Sequence, residues 1–280
     1  MEEDRREPLQ DDRKDLDMTP EQPADPVLAR TIEEQAAGVA YRLINSDCVA
    51  WPFPHCLLRD ILPRPLFQGL RSLDLPEESL SQKPLIDGVS AAEHHRYSLS
   101  VTSHDLTPDS AVDPLLRHTY KVLAHPIARW AMTRVFARAL VAAFGRADLP
   151  LSATMQIVED RSGYALLPHT DVPHKAVTLL IYLAQDDDDP TLGTELYTPS
   201  SGVTLTGGYP MRGRFNRGPF TRVATAPYRP NGGIIFAPSE RSFHGVSSVE
   251  GENRTRRIIQ FQLSVDDPAI RRINDPKKPA

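Results

Sequence analysis

The chain has 280 residues, 40% of them hydrophobic and 25% charged, with a net charge of -5 at pH 7. This is an ordinary globular balance, and the acid excess argues against a general nucleic-acid or membrane surface. The longest apolar stretch, residues 176–184, is too short to cross a bilayer.

The opening Met1-Glu2-Glu3-Asp4-Arg5-Arg6 lacks the basic-then-apolar order of a signal peptide. Residues 1–25 are rich in Asp, Glu, Arg and Pro, cannot bury enough apolar surface to offset their ordering entropy, and read as a mobile tail. A helix is expected from Pro26 to about Asn45, capped by Asp25 with Pro26 in its first turn. Cys48 and Cys56 read as free, partly buried thiols, which suits a reducing compartment and places the protein in the cytoplasm. Between them and just after them, Trp51-Pro52-Phe53-Pro54-His55 leads into a short strand and a turn, then a second helix around 65–73. Residues 76–114 carry many turn signals and no readable period; His94, His95 and His104 belong to the surface or the mouth of a pocket. Residues 118–144 read as one or two helices. Arg129, Thr133, Arg134 and Arg138 form their polar stripe, Ile127, Trp130, Val135, Leu140 and Phe144 turn inward, and Gly145 is the stop.

After Pro150 the pattern changes to short strands: 152–158, 163–169, 176–184, 193–198, 221–228, 233–237, 242–247 and 255–264. Eight such strands separated by Gly, Pro, Asp and Ser turns imply an α+β fold built on a double-stranded β-helix, a cupin-like jelly roll, with N-terminal helices buttressing one sheet. The expected organisation is a tail at 1–25, a helical support region at 26–150, a jelly-roll catalytic core at 151–268 and a fraying tail at 269–280.

Within the strand region, Leu167-Pro168-His169-Thr170-Asp171 and Arg241-Ser242-Phe243-His244-Gly245-Val246 carry the candidate metal ligands. Positions i and i+2 of a strand point the same way, so His169 and Asp171 can grip one ion while a distant strand brings His244. Two histidines and a carboxylate on one face leave three coordination positions open, the arrangement a non-haem Fe(II) oxygenase needs. Zinc could use the same ligands. His174 lies nearby but follows Pro173 and reads as a loop residue. The strand at 255–264 opens with Arg254, Arg256 and Arg257, of which Arg254 and Arg256 share a face with Ile258 and Gln260.

This ordered set resembles the Fe(II)- and 2-oxoglutarate-dependent dioxygenases, in particular the prolyl-hydroxylase-like branch. The match runs through His169-x-Asp171, the strand ending in Tyr182, Gly232-x-x-x-Phe236-x-Pro238, His244 and the arginine-led strand, over roughly residues 150 to 265. The resemblance implies Fe(II) on His169, Asp171 and His244, with 2-oxoglutarate as co-substrate, O2 as oxidant and ascorbate as a supporting reductant. It also implies an arginine for the distal carboxylate of 2-oxoglutarate, with Arg256 preferred and Arg254 the alternative, and a hydrogen bond to that carboxylate from Tyr182. The Gly251-Glu252-Asn253 insertion after His244 leaves the choice of arginine open. Related halogenases have a small residue in place of the acid, so Asp171 favours hydroxylation, desaturation or ring closure.

The expected activity is hydroxylation of an unactivated C–H bond of a small molecule, an amino acid or a natural-product intermediate. Hydroxylation of a protein side chain, a jelly-roll binding protein that keeps the metal without turnover, and a zinc hydrolase are the alternatives. The long polar segment 207–230, with Arg212, Arg214, Arg217 and Arg222, reads as a lid holding an acidic substrate group or as a solvated connector. The run Asp186 to Asp189 reads as a solvated turn. Composition sets no oligomeric state.

Overall fold

A computed structural model describes residues 26–82, 95–200 and 220–273. Its helices are α1 (Pro26–Ile44), α2 (Arg64–Ser72), α3 (Pro114–Ala124), α4 (Pro126–Val135) and α5 (Ala137–Phe144). The strands of the N-terminal half are β1 (Cys48–Val49), β2 (His55–Leu58), β3 (Ser81–Gln82) and β4 (Arg96–Val101). Eight more follow: β5 (Leu151–Arg161), β6 (Leu166–His169), β7 (Lys175–Tyr182), β8 (Thr194–Pro199), β9 (Phe220–Ala226), β10 (Gly233–Phe236), β11 (His244–Val246) and β12 (Thr255–Val265).

These last eight strands are divided between two antiparallel sheets, four in each, and only β8 and β9 follow one another within one sheet. The large sheet runs β1-β2-β10-β7-β12-β5-β4-β3 and the small one β6-β11-β8-β9. This is the jelly roll the strand pattern implied, enlarged by four strands from the half of the chain whose period was hardest to read. Because the core strands switch sheets, residues distant in sequence become neighbours between them.

The large sheet is buried on both faces. On β7, Val177, Leu179 and Ile181 point toward the helices, while Leu180 and Tyr182 point toward the small sheet. That double burial explains the unbroken apolar run at 176–184, since a strand covered on one face only would alternate. α1 buries Ala36, Val39, Ala40 and Leu43, the spacing of one helical face. Packed against it, α4 presents Ala128, Ala131 and Met132.

The segment at 118–144 belongs to three helices rather than one or two. Asp113 caps α3 by accepting from the Leu115 N–H at 2.7 Å. Pro126 then ends α3 and opens α4, because its ring tolerates a first turn but not a helix interior. Gly145 closes α5 at φ +77°, in the left-handed region where other residues are strained. Leu140 and Phe144 are buried as expected, and Ile127 and Val135 are half-buried. Trp130 is not inward: it is 59% exposed, because the buried face of α4 is set by residues 128, 131 and 132.

The reading of two free cysteines is overturned. β1 and β2 form a small antiparallel hairpin that sets Cys48 directly across from Cys56, and the two are joined in a disulfide. The inference of a reducing compartment drawn from free thiols falls with it. Among the described residues no helix is long and apolar enough to cross a membrane. The expected cap Asp25, the tail at 1–25 and His94 lie outside the described residues. Near the other end, Arg272 is buried and Ile273 donates its N–H to the Ala143 carbonyl.

Phe261 is fully buried between β12 and the helices, so Phe261→Ala should cost about 3–5 kcal/mol. Trp130→Ala on the exposed face should stay within about 0.5 kcal/mol. Urea unfolding of the two variants checks the contrast; a large loss for Trp130→Ala would contradict the packing.

Candidate metal centre and cationic seat

His244 opens β11, which pairs antiparallel with β6 so that His244 lies opposite His169. The two imidazole rings are 4.3 Å apart between centroids. Close approach of these strands depends on Gly245, where a Cβ would sit 2.5 Å from the Leu166 carbonyl oxygen. Asp171 lies two residues past the end of β6 rather than within a strand, and still reaches the same point. One ligand atom from each of His169, Asp171 and His244 lies within 4.8 Å of the others.

The tautomers are set by the backbone. Nδ1 of His169 donates to the Leu167 carbonyl at 3.1 Å, and Nδ1 of His244 donates to the Ser242 carbonyl at 2.9 Å. A carbonyl can only accept, so both Nδ1 atoms carry the proton and both Nε2 atoms keep a lone pair for a metal. Phe236 packs its ring 4.8 Å from that of His244. Burial lowers the pKa of both histidines, and the neighbouring His244 helps bring His169 to about 3.

Asp171 is held as an anion. Burial alone would raise its pKa, but the charge and hydrogen bond of Lys175, with smaller help from the histidines, hold it well below the usual carboxylate range. Lys175 Nζ donates to Oδ1 at 2.6 Å and Thr178 Oγ1 to Oδ2 at 2.7 Å. Each carboxylate oxygen has two acceptor directions, so a lone pair remains for coordination. Arg272 steadies the intervening loop by donating to the Pro173 and Lys175 carbonyls. His174 is exposed in that loop and stands outside the cluster. The donor set therefore fits a divalent ion of the iron or zinc type.

Deeper between the sheets lies a cation. Arg256 is fully buried on the face of β12 shared with Ile258. Its Nη1 donates to Asp160 Oδ2 at 2.6 Å and its Nε to the Leu192 carbonyl at 2.5 Å. Among the described residues its Nη2 has no partner. Arg257 points to the opposite face, onto Glu159 and the Leu73 carbonyl. Arg254 is half-buried and lines a surface cleft with Asp189, Thr191, Ser248 and Glu250. Of the three arginines, Arg256 alone enters the sandwich interior.

Tyr182 also faces the interior, with the Arg256 guanidinium 5.7 Å from its ring centroid. Its hydroxyl donates to Thr194 Oγ1 at 2.9 Å and accepts from the Thr194 N–H at 3.2 Å. Thr178, beside the metal ligands, and Tyr182, beside Arg256, lie on one face of β7 about 13 Å apart along the strand.

Several sequence readings find other partners. Asp186 meets Arg71 at 3.2 Å and Asp189 caps a short turn through the Thr191 N–H, so this acidic run is a turn. Of the basic residues in the 207–230 segment, Arg222 lies on β9 and donates to the buried Glu195. Arg212, Arg214 and Arg217 lie outside the described residues. His95 is half-buried beside Gly163, and His104 is exposed.

Sequence reasoning missed Arg96, Asp160, Lys175 and Thr178. The first sits in the turn-rich stretch that had no period. Asp160 was lost because Glu159-Asp160-Arg161-Ser162-Gly163 looks like a turn, whereas β5 continues to Arg161. A buried acid two residues beyond Val158, on the same face, was the available signal.

No protein-family model and no curated protein sequence matches the chain. Solved structures do. A prolyl-4-hydroxylase from Pseudomonas putida is 13% identical with a TM-score of 0.49, over 82% of this chain and 98% of that one. A prolyl hydroxylase from Trichoplax adhaerens, in complex with a hypoxia-inducible-factor peptide fragment, is 13% identical with a TM-score of 0.47, over 86% and 93%. HygX from Streptomyces hygroscopicus, with nickel, 2-oxoglutarate and hygromycin B bound, is 11% identical with a TM-score of 0.40, over 76% and 83%.

The lowered histidine pKa values have a definite sign. In the metal-free protein burial keeps His169 and His244 neutral where an unfolded imidazole near 6.5 would be protonated, so stability falls as pH drops below about 6.5, and for His169 this continues toward about 3. Wild type should therefore lose more stability between pH 7 and pH 5 than the double variant His169→Asn, His244→Asn. Urea midpoints at the two pH values measure this, and parallel losses would contradict it.

Proposed function

We propose that this chain is an Fe(II)- and 2-oxoglutarate-dependent oxygenase. One observation carries the reading: a two-histidine, one-carboxylate cluster and a buried arginine with an open N–H group both lie against the core cluster between the two sheets, the first through Phe236 and the second through Tyr182. A zinc hydrolase has use for the first but not for the second. A metal-retaining binding protein has no use for a co-substrate cation.

In this reading His169 and His244 offer Nε2 and Asp171 a carboxylate oxygen to Fe(II). Bound together, iron, 2-oxoglutarate and O2 supply oxidative decarboxylation to succinate and CO2 coupled to oxidation of a C–H bond. The protein's own residues do the rest. Leu167 and Ser242 fix the imidazole tautomers, and Lys175 and Thr178 orient Asp171. Arg256 binds the distal carboxylate, for which a planar guanidinium is suited. Tyr182 flanks that guanidinium and lines the path with its ring. The apolar wall of Leu180, Ile234 and Phe236 excludes water.

The substrate proposed is a small molecule with an acidic group, an amino acid or a natural-product intermediate, and the reaction a hydroxylation, consistent with an acid rather than a small residue at 171. Ascorbate would serve to keep the iron reduced. Cytoplasmic localisation is proposed with the Cys48–Cys56 pair in its reduced form, since reducing compartments disfavour such bonds.

Purified protein with Fe(II), ascorbate and 2-oxoglutarate should release succinate, faster in the presence of an accepted substrate. His169→Ala, Asp171→Ala and His244→Ala should each abolish it. Arg256→Ala should raise the 2-oxoglutarate requirement roughly ten- to a hundredfold, the loss of a charge-assisted pair, and Arg254→Ala should not. Succinate release that survives loss of His244 would remove the proposal, and an effect of Arg254→Ala without one of Arg256→Ala would misplace the co-substrate.

A further inference from the structure

Three charged residues lie in a row across adjacent strands of the large sheet. The registers of β4 with β5 and of β12 with β5 place Arg96 and Arg256 on either side of Asp160. All three point between the sheets. Arg96 Nε donates to Asp160 Oδ1 at 2.6 Å and its Nη2 to Oδ2 at 3.2 Å, while Arg256 Nη1 donates to Oδ2 from the other side.

Two guanidinium groups against one carboxylate leave one positive charge. Asp160 and Arg256 are fully buried, and the Arg96 side chain is 15% exposed. The rest of the surroundings is aromatic: Tyr164 lies 4.8 Å from the Arg96 guanidinium, and Tyr182 and Tyr228 each lie 5.7 Å from that of Arg256. Burial works against the charge of Arg96, yet Asp160 more than offsets it and the proton is held more firmly than usual. A net charge in so dry a place is costly unless an anion completes it.

Among the described residues two donors stay open for that anion. One is Nη2 of Arg256. The other is Nη1 of Arg96, whose hydrogen bonds to Asp160 run through Nε and Nη2.

We propose that Arg96 and Arg256, bridged by Asp160, form a single two-arginine seat for the distal carboxylate of the 2-oxoacid co-substrate. The proposal rests on the oxygenase reading and adds Arg96, on a strand outside the eight of the jelly roll, as a co-substrate-binding residue. Asp160 sets the charge of the seat at one positive unit, so one carboxylate neutralises it. A 2-oxo diacid is thereby preferred to a 2-oxo monoacid of similar length.

The test uses full-length protein loaded with Mn(II) under anaerobic conditions. Calorimetry measures the affinity for 2-oxoglutarate, for 2-oxobutyrate, which lacks the distal carboxylate, and for Mn(II) itself. Wild type should prefer 2-oxoglutarate. Arg96→Gln should weaken 2-oxoglutarate binding about tenfold or more and bring it toward that of 2-oxobutyrate, with Mn(II) affinity unchanged. Arg96→Lys should fall between the two. Unchanged 2-oxoglutarate affinity in an Arg96→Gln protein that still binds Mn(II) overturns this proposal and leaves the oxygenase reading standing. Wild type that binds Mn(II) but no 2-oxoglutarate overturns both. Should Arg96→Gln fail to bind Mn(II), Arg96→Lys decides: a fall confined to the diacid supports the seat, and no fall overturns it.

Discussion

His244 stands opposite His169 because β11 and β6 are paired antiparallel in one register. A one-residue slip would turn either imidazole away from the other. The candidate metal centre follows from that pairing. The pairing brings the third candidate ligand to the first two across 75 residues of sequence, sets one ligand atom of each within 4.8 Å of the others, and leaves Asp171 to close the triangle from beyond the strand end. Gly245 permits the approach, and the backbone carbonyls of Leu167 and Ser242 set the tautomers. The centre is preorganised by the sheet rather than by long flexible side chains.

The second constraint is electrostatic. The sandwich interior holds Asp160 with two arginines, in surroundings otherwise apolar and aromatic. A buried ion pair of this kind is a weak source of stability, because desolvation cancels most of the attraction. Its value here is directional. Asp160 fixes where two guanidinium groups lie, and β7 runs from beside Arg256 to beside Asp171. The same strand carries Thr178 at one end and Tyr182 at the other, so one rigid element aligns both halves of the site.

The strand region was legible because its physics is local. β7 is covered on both faces and so reads as a continuous apolar run; β12 changes from cationic to apolar where it enters the core. The His-x-Asp pair and the distant histidine were legible through their strand-like flanks and the family resemblance, and the arginine parity through spacing. Long-range pairing could not. The turn-rich stretch around Arg96 becomes a strand only by adding to the edge of β5, and β5 looked three residues shorter because a charged run resembles a turn. Cys48 and Cys56 form a disulfide through a hairpin that the intervening prolines disguise. Trp130 is large and apolar, yet small residues on α4 and α1 pack closely enough to leave it outside. In each case a tertiary contact overrides a local preference.

The central claim is that the candidate metal centre and Arg256 hold the two ends of one dicarboxylate. A crystal structure of the Mn(II)-loaded protein with 2-oxoglutarate, grown without O2, tests it most directly. The account predicts manganese on His169, Asp171 and His244 and a single 2-oxoglutarate molecule between the sheets, running from the metal to Arg256. Manganese bound elsewhere, or 2-oxoglutarate held in the surface cleft beside Arg254 with the interior left to the protein's own side chains, would contradict it.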